Sequence, residues 1–367
     1  MDSEKLTTSS RVAVVAITRK AADLAVRLAN LIGNAKVYLS RSAGEALPET
    51  PLEIETFTRV VPLFRQIWNN YQVIVCIMAA GIVVRAIAPL INKKTTDPAV
   101  IVLDEKGEFV ISLLSGHIGG ANAWTKYIAK LLGATPVITT SSDVKGKIAL
   151  DLLAVEEGLT IVEHPAGSPV TLAGVMRRLL DDEPLWIFDQ ERRIAPKLLQ
   201  HYSSLTLITE PKLVALEASN SLGIWVSEEI PPGELNCLRM HPRNLLVGVG
   251  CNRGTTPDEI VSLIEEVFRQ ANLFTGSIRA LVTVEIKQKE KGLHEAARML
   301  GVPISFISPD LLRSVTVPNP SQMVEKHIGV KSVCEAAPIA LVPSAQLIIP
   351  KHKTRNVTVA VARVPFP

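Results

Sequence analysis

Short runs of β-branched and apolar residues alternate along this chain with segments whose apolar residues recur every three or four positions. The short runs are typical of buried strands, and the periodic segments are typical of helices that bury one face. Their regular alternation predicts parallel α/β units. In the first part of the chain we expect strands at 12–17, 36–39, 73–78, 100–103, 109–114 and 136–140, and helices at 21–31, 62–69 and 121–132.

The pattern weakens between about 151 and 232, where prolines separate strand candidates at 185–188, 205–208 and 223–226. It becomes regular again after Pro231-Pro232-Gly233, a sequence typical of a linker. Further elements are expected at 245–250, 256–268, 281–286, 293–300, 304–307, 322–328, 333–340 and 357–364. The predicted fold class is therefore α/β. Two α/β domains with mostly parallel sheets, 1–150 and 240–367, flank a smaller, less regular middle α/β domain, 151–233.

One loop is of particular interest because a buried strand leads into Ser115-Gly116-His117-Ile118-Gly119-Gly120 and a helix begins directly afterwards. Such a junction directs backbone N–H groups at an anion, and the His117 imidazole can gain or lose a proton near neutrality. We therefore expect an anion site with acid–base chemistry, in which Ser115 is a hydrogen-bonding partner. The alternative is an ordinary tight turn whose glycines only allow close packing. The loop matches neither a nucleophile elbow nor a Walker loop.

Two further groups of polar residues follow predicted strands of the first domain. The run Thr139-Thr140-Ser141-Ser142-Asp143 lies where ligands of α/β sheets collect, although helix capping explains the same residue types. Arg85 and Lys93 lie on either side of the end of a predicted helix, and both are candidates for pairing with substrate carboxylates. Solvated surface cations are the alternative for both residues.

The third segment contains a second loop that opens a helix, Gly248 to Thr256, in which Arg253 is a candidate carboxylate clamp. Its glycine spacing differs by one residue from the dinucleotide fingerprint, which makes nucleotide binding the weaker interpretation. Lys287 lies in a charged run that either extends the basic region or forms a solvated loop. Glu335 fits a helix-capping box without any catalytic role.

Composition narrows the class of protein. The 367 residues are 47% hydrophobic and 20% charged, which is typical of a globular chain with two or three domains. A net charge of +3 is too small to imply a nucleic-acid partner, yet it allows a basic cleft for an acidic small molecule. The four cysteines are widely spaced, and Cys237 with His241 lacks the further ligands of a metal site. Because no signal-like or membrane-spanning run is present, we expect a cytoplasmic protein without a membrane partner.

Six segments carry recognisable motifs in a characteristic order: 81–90, 94–100, 111–122, 136–143, 248–255 and 333–337. Together they resemble the CbiG family, the cobalt-precorrin-5A hydrolases of anaerobic cobalamin biosynthesis, over about residues 70–365. The string from Leu113 to Asn122 is the most specific, whereas the middle domain matches in size and position only. Two departures are Ile118, where the family often has Arg, and Lys287-Gln288-Lys289-Glu290, where an expected Asp is missing.

The resemblance implies a substrate that is an anionic, cobalt-bearing tetrapyrrole with a δ-lactone. Water opens the lactone, and a two-carbon fragment leaves as acetaldehyde to give cobalt-precorrin-5B. The cobalt arrives with the substrate, so no cofactor or protein-bound metal is implied. We expect His117 to act as base, with Ser115 and Asp143 as its catalytic partners. The residues expected to bind the substrate are Gly116, Gly119, Gly120, Asn122, Arg85, Lys93, Thr140, Arg253, Thr255, Lys287 and Glu335.

Two alternatives come from other functional classes. A tetrapyrrole-binding or carrier protein of the same pathway would protect an unstable intermediate without catalysis, and release of acetaldehyde separates it from the enzyme. A nucleotide-binding α/β enzyme would use the loop at 248–254, and binding of ATP or NAD would identify it. The resemblance is also compatible with a homodimer and with contacts to other enzymes of the cobalamin pathway.

Overall fold

The fully apolar runs of the first third become strands of one sheet, because a strand with neighbours on both sides buries both of its faces. The computed structural model describes residues 10–45, 51–93, 96–162, 170–210, 221–233, 235–320 and 332–366. The chain divides into two compact units, Met1–Leu152 and Leu153–Pro367. In the part of the chain that the structure describes, no helix has both the length and the apolar character needed to cross a bilayer.

The first unit contains a seven-stranded sheet in the order β3-β2-β1-β4-β5-β6-β7. Every residue of the three central strands β1, β4 and β5 is buried. The strands are β1 (Val12–Ala16), β2 (Ala35–Ser40), β3 (Ile54–Phe57), β4 (Val73–Ile77), β5 (Ala99–Leu103), β6 (Phe109–Leu114) and β7 (Thr135–Val137). The helices that begin in this unit are α1 (Arg19–Ile32), α2 (Arg41–Gly44), α3 (Val60–Ile67), α4 (Ala80–Ile87), α5 (Ala121–Leu132), α6 (Ser141–Val144) and α7 (Leu150–Glu156).

The orientation of the last two strands positions the loop that contains His117. Strands β1 to β5 are parallel to one another. Strand β6 returns antiparallel to β5 through a hairpin in which the Asp104 carboxylate accepts the Glu108 N–H at 2.8 Å. Strand β7 is parallel to β6. The carboxyl ends of β6 and β7 therefore lie at the edge where β1 to β5 begin.

Burial of apolar side chains holds this unit together. Leu28 of α1 and Ile128 of α5 are fully buried in one cluster with Val12 and Val73, which face each other in register on β1 and β4. Each fully buried Leu or Ile contributes about 1.5–3 kcal/mol relative to an exposed side chain. The helices that support the loop are thus fixed to a rigid sheet.

The second unit contains two five-stranded sheets, in the orders β10-β9-β11-β12-β8 and β15-β14-β13-β17-β16. Strand β8 is antiparallel to β12, and β16 and β17 are antiparallel to each other, whereas β13, β14 and β15 run parallel. The strands are β8 (Leu159–Ile161), β9 (Leu185–Asp189), β10 (Leu205–Ile208), β11 (Gly223–Val226), β12 (Cys237–Pro242), β13 (Leu245–Cys251), β14 (Ile278–Val284), β15 (Ile304–Ile307), β16 (Gln346–Lys353) and β17 (Val357–Arg363). The helices are α8 (Leu172–Leu180), α9 (Ala195–His201), α10 (Pro257–Gln270), α11 (Lys291–Met299), α12 (Pro309–Arg313) and α13 (Val333–Leu341).

The predicted α/β fold class is confirmed, since all three sheets combine parallel strand pairs with helices. Parallel pairs predominate in the first two sheets, whereas the third has two parallel pairs and two antiparallel ones, β13 with β17 and β17 with β16. The middle segment is more regular than its proline content indicates, because β8, α8 and α9 form there in addition to the predicted strands. The segment Pro231-Pro232-Gly233 is a loop within the second sheet, since β12 pairs with β11, and the third sheet begins at Leu245. The element expected at 322–328 lies outside the described residues.

Candidate active site

The loop between β6 and α5 is a tight turn that requires glycine at two close approaches. A Cβ atom on Gly119 would lie 2.4 Å from Ser115 Cβ, and one on Gly116 would lie 2.8 Å from Asn122 Oδ1. Ser115 itself adopts a positive φ of 59°, which is unusual for a residue with a side chain and stores strain. The predicted alternative, a turn whose glycines allow close packing, is therefore part of the structure. It does not exclude the predicted chemistry.

The turn leaves a row of backbone donors open. Its internal hydrogen bonds run from Gly120 N–H to His117 O at 2.9 Å and from Ala121 N–H to Ser115 O at 3.1 Å. The N–H groups of residues 116–119 have no hydrogen-bond acceptor among the residues that the structure describes. Gly120 was expected to belong to this set of donors, but its N–H closes the turn. Four successive N–H groups remain for an anion or a developing oxyanion.

The His117 ring is held from both sides. Its Nε2 lies 3.0 Å from Ser142 Oγ and 3.5 Å from Asp143 Oδ2, and its Nδ1 lies 3.4 Å from Asp151 Oδ2. Asp151 raises the pKa of His117 above its ordinary value, chiefly through the hydrogen bond to the ring, and Asp143 adds to the effect while burial opposes it. The side chain is 19% exposed, so it is shielded but still reachable.

Asp143 belongs to a network that also includes Asn122. Asn122 is buried, and its Nδ2 donates to Asp143 Oδ2 at 2.8 Å and to Thr140 Oγ1 at 3.0 Å. Lys126 Nζ contacts Asp143 Oδ1 at 2.8 Å. Burial alone would raise the pKa of Asp143, but the hydrogen bonds from Lys126 and Asn122 and the charge of His117 outweigh it and lower that pKa. Asp143 is therefore an ionised, fixed partner of the ring.

Parallel pairing of β6 and β7 explains why residues 25 positions apart in sequence meet here. His117 follows the carboxyl end of β6, and Ser142 and Asp143 follow that of β7, so both loops emerge at the same edge of the sheet. The strand predicted at 136–140 ends at Val137, which leaves Thr140 as the residue before α6. Asp151 at the start of α7 completes the site and was missed, because the predicted domain boundary at 150 separated it from His117.

Ser115 has a different partner from the one expected. Its Oγ donates to the backbone carbonyl of Asp97 at 3.1 Å and has no contact with the His117 ring in the described structure. Asp97 ends the connection between α4 and β5, and its carboxylate accepts the Asn92 N–H at 2.9 Å. Ser115 thus ties the His117 loop to the neighbouring connection. The structural role of Ser115 is therefore to support the loop that contains His117.

The two predicted cations of the first unit lie at opposite edges of the sheet. Lys93 is exposed in the connection before β5, four residues from Asp97 and hence on the edge where the His117 loop lies. The Arg85 guanidinium lies beside Gly81 at the start of α4, which follows the carboxyl end of β4. The structure therefore brings Lys93 towards His117 and leaves Arg85 at the far edge. Lys94 and Thr95, which carry part of the family motif, lie outside the described residues.

The second unit brings together most of its predicted anion-binding residues at the carboxyl ends of β13 and β14. Lys287 Nζ contacts Glu290 Oε1 at 3.3 Å, and Glu290 Oε2 accepts the Gly254 N–H at 3.1 Å. That N–H hydrogen bond is the main cause that lowers the pKa of Glu290, and the charges of Lys287 and Arg253 add to it. Thr255 is buried and donates to Asn252 O at 2.9 Å. The internal carboxylate of Glu290 thus occupies the predicted anion position.

Glu335 is not placed where a substrate reaches it. It has 0% exposure on α13 and accepts hydrogen bonds from Asn319 N–H at 3.1 Å, Asn319 Nδ2 at 2.8 Å and Lys351 N–H at 2.9 Å. The predicted capping box is absent, since Ser332 makes no side-chain cap hydrogen bond. We therefore correct its predicted substrate-binding role: Glu335 anchors the segment before Asn319 and strand β16.

Cys237 and His241 lie on β12 and are both buried. Burial lowers the pKa of His241 to about 4, so the ring is neutral, and it stacks on Phe274 with ring centroids 4.2 Å apart. Within the described ranges, no cluster of three or more His, Cys, Asp and Glu side chains is arranged to hold a metal ion. The four cysteines are free.

Comparisons with known proteins identify the family. Residues 62–143 match the family model described as cobalamin synthesis G N-terminal, and residues 245–362 match the one described as cobalamin synthesis G C-terminus. A relative from Priestia megaterium named cobalt-precorrin-5A hydrolase is 35% identical over 96% of this chain and 95% of its own length. One from Salmonella typhimurium with the same name is 32% identical over 80% of this chain and 83% of its own.

Among solved structures, CobE, a protein from the cobalamin biosynthetic pathway, is 27% identical, with a TM-score of 0.33. It covers 34% of this chain and 92% of its own. The N-terminal family model includes His117, Ser142 and Asp143, and the C-terminal one includes Arg253 and Lys287. The resemblance seen in the sequence motifs is confirmed: the chain belongs to the CbiG family of cobalamin synthesis.

Proposed function

We propose that this protein is a cobalt-precorrin-5A hydrolase that opens the δ-lactone of its tetrapyrrole substrate and releases the two-carbon fragment as acetaldehyde. The names of its relatives from Priestia and Salmonella support the substrate. The observation that carries the chemistry is the His117 site, where an acid–base residue lies in the same turn as four N–H groups that have no acceptor among the described residues. Both features are what hydrolysis of an ester bond requires.

In the first step, water attacks the lactone carbonyl while His117 takes a proton from it. The negative charge that develops on the carbonyl oxygen is stabilised by the N–H groups of residues 116–119. The ring C–O bond then breaks, and the protonated imidazole returns its proton to the departing alkoxide. The products of this step are a hydroxyl group and a carboxylic acid on the substrate, and the acid releases its proton to solvent to become a carboxylate.

In the second step, the new hydroxyl loses its proton to His117 and the neighbouring carbon–carbon bond breaks. The oxygen and its two carbons leave as acetaldehyde, and the electron pair of the broken bond remains on the macrocycle, which then takes up a proton. Hydrolysis thus ends in cleavage of a carbon–carbon bond. Cobalt belongs to the substrate throughout. Exposed Lys93 supplies positive charge for a peripheral carboxylate. Within the second unit, Arg253 and Lys287 are candidates for binding a carboxylate, which there competes with the internal carboxylate of Glu290 for Lys287.

The test is an anaerobic incubation of purified protein with cobalt-precorrin-5A, with acetaldehyde measured by coupling to NADH oxidation. We expect the wild-type protein to release one acetaldehyde per substrate. The variant His117→Ala should lose release by about 10²-fold or more, and His117→Asn tests the role with a side chain that still hydrogen-bonds. His201→Ala, which removes an exposed imidazole at the end of α9, is the matched control.

Two results would count against the proposal. Near-normal turnover by both His117 variants would show that the imidazole takes no part in the mechanism. Tight binding of the substrate by the wild-type protein without acetaldehyde would favour a carrier that protects the intermediate.

A further inference from the structure

Two carboxylates approach the His117 ring, but only one has a geometry suited to orienting it. Asp143 Oδ1 contacts Lys126 and its Oδ2 accepts from Asn122, both at 2.8 Å, and it lies 3.5 Å from the ring. Asp151 approaches the opposite nitrogen, Nδ1, at 3.4 Å. Its other oxygen accepts the Leu152 N–H at 3.0 Å, which fixes the carboxylate at the start of α7.

The hydroxyl of Ser142 completes an arrangement of hydroxyl, imidazole and carboxylate in the order of a Ser–His–Asp triad. Ser142, however, is only 2% exposed. A hydroxyl so enclosed cannot attack a lactone carried on a large macrocycle. Ser142 therefore acts as a hydrogen-bond partner of Nε2, and the nucleophile remains water.

We propose that Asp151 is a positioning residue, an inference that rests on the proposed function. Its carboxylate binds the Nδ1 proton of His117, which leaves Nε2 as the nitrogen that exchanges protons in the reaction. A neutral imidazole carries one proton, and a carboxylate beside Nδ1 selects the tautomer that holds the proton there. The lone pair is then on Nε2, which faces Ser142 and Asp143. The charged and polar groups that face the ring are Asp151 on α7, Ser142 and Asp143 on α6, and Lys126 on α5 through Asp143.

Loss of the Asp151 charge has two separate consequences. The carboxylate is the main cause of the raised pKa of His117, so its removal lowers that pKa. A base is active when deprotonated, so the acidic limb of the pH–rate profile moves to lower pH. At the same time the ring loses its preferred tautomer, so kcat falls at every pH while KM for the substrate changes little.

The experiment compares Asp151→Asn with Asp23→Asn, a matched control on exposed Asp23 of α1. Protein labelled with ¹⁵N-histidine is titrated by NMR, in which long-range ¹H–¹⁵N correlations report the tautomer and the pKa of each ring, and His117→Asn identifies the signal. We expect the wild type and the control to carry the proton on Nδ1. Asp151→Asn should show a lower His117 pKa, a mixed tautomer and a loss of kcat of about 10²-fold or more. Asp151→Glu should restore part of both properties.

Unchanged His117 tautomer and pKa in Asp151→Asn would overturn the proposal, as would an activity loss confined to KM. Because the NMR titration needs no substrate, it decides the role of Asp151 even if the wild-type protein releases no acetaldehyde. Failure of the proposed hydrolase activity is therefore distinguishable from failure of this inference.

Discussion

The substitution Gly119→Ala tests whether the close approach inside the His117 loop sets the position of the imidazole. The new Cβ would lie 2.4 Å from Ser115 Cβ and 2.8 Å from Ser115 O. Carbon atoms that are not bonded to each other prefer separations of about 3.5–4.0 Å. The turn must therefore open by roughly 1 Å at Ser115.

Ser115 cannot move without losing the contacts that it makes. Its carbonyl accepts the Ala121 N–H and its hydroxyl donates to Asp97 O, both at 3.1 Å. Overpacking together with two weakened hydrogen bonds costs about 2–4 kcal/mol. That is less than the ~5–15 kcal/mol that keeps a domain folded, so the protein should still fold. The imidazole two residues away is displaced, however, and a shift of about 1 Å at a reacting group costs about 10²-fold in rate.

The assay is urea denaturation together with acetaldehyde release, and the matched control of stability is Gly81→Ala. Among the described residues, a Cβ on Gly81 meets only Arg85 Nη1 at 3.8 Å, an ordinary contact. Because Gly81 lies inside α4, alanine should leave stability unchanged or raise it by about 0.5–1 kcal/mol. If Gly119→Ala were as stable and as active as the wild type, the loop would tolerate a side chain and the geometric argument would fail.

Three further predictions concern charged groups. Replacing fully buried Glu335 with Ala removes the acceptor of three hydrogen bonds. This should destabilise the second unit by about 3–5 kcal/mol, measured as a lower urea midpoint, with a smaller loss for Glu335→Gln. The pKa of His117 is raised above 6.5, so its interactions stabilise the folded state fully below pH 6.5 and are lost as pH rises through the higher folded value. The difference in unfolding free energy between the wild type and His117→Asn should accordingly shrink with rising pH over that window, and a constant difference would contradict it. Glu290→Gln removes the internal carboxylate from Lys287 and should lower KM for the polycarboxylate substrate by about two- to five-fold, whereas a higher KM would show that Glu290 arranges the site.

Elements whose apolar pattern is complete were predictable. Strands β4 and β5 are runs of five buried residues without a polar interruption, and α5 has a glycine at each end, Gly120 and Gly133, both with positive φ. Such local signals identify an element without knowledge of its neighbours. The loop that contains His117 was predictable for the same reason, because its glycines mark a junction between a strand and a helix.

Pairings between distant segments were not predictable from local patterns. Asp151 contacts a ring 34 residues earlier in the sequence, and the residues around it are typical of any helix start. Glu335 has the same sequence context whether it caps a helix at the surface or anchors Asn319 and Lys351 in the interior. Its burial depends on how α13 packs on Gly248, where a side chain would clash with the Cys334 carbonyl. Contacts of this kind arise only when the sheet has assembled.

Because of the direction of β6, carboxyl ends of strands lie at both edges of the sheet in the first unit. Ligands of open α/β sheets collect at the carboxyl ends of strands, and in this sheet those ends point both ways, because β5 and β6 are antiparallel. Arg85 follows the carboxyl end of β4, whereas His117, Ser142 and Asp143 follow those of β6 and β7. The rule therefore applies to each strand separately. The hairpin at residues 104–108 reverses the chain between β5 and β6 and so determines which polar residues share an edge. A substrate that engages His117 can meet Lys93 on the same edge, whereas an interaction with Arg85 requires it to extend along the height of the sheet, about 15 Å for five residues of strand.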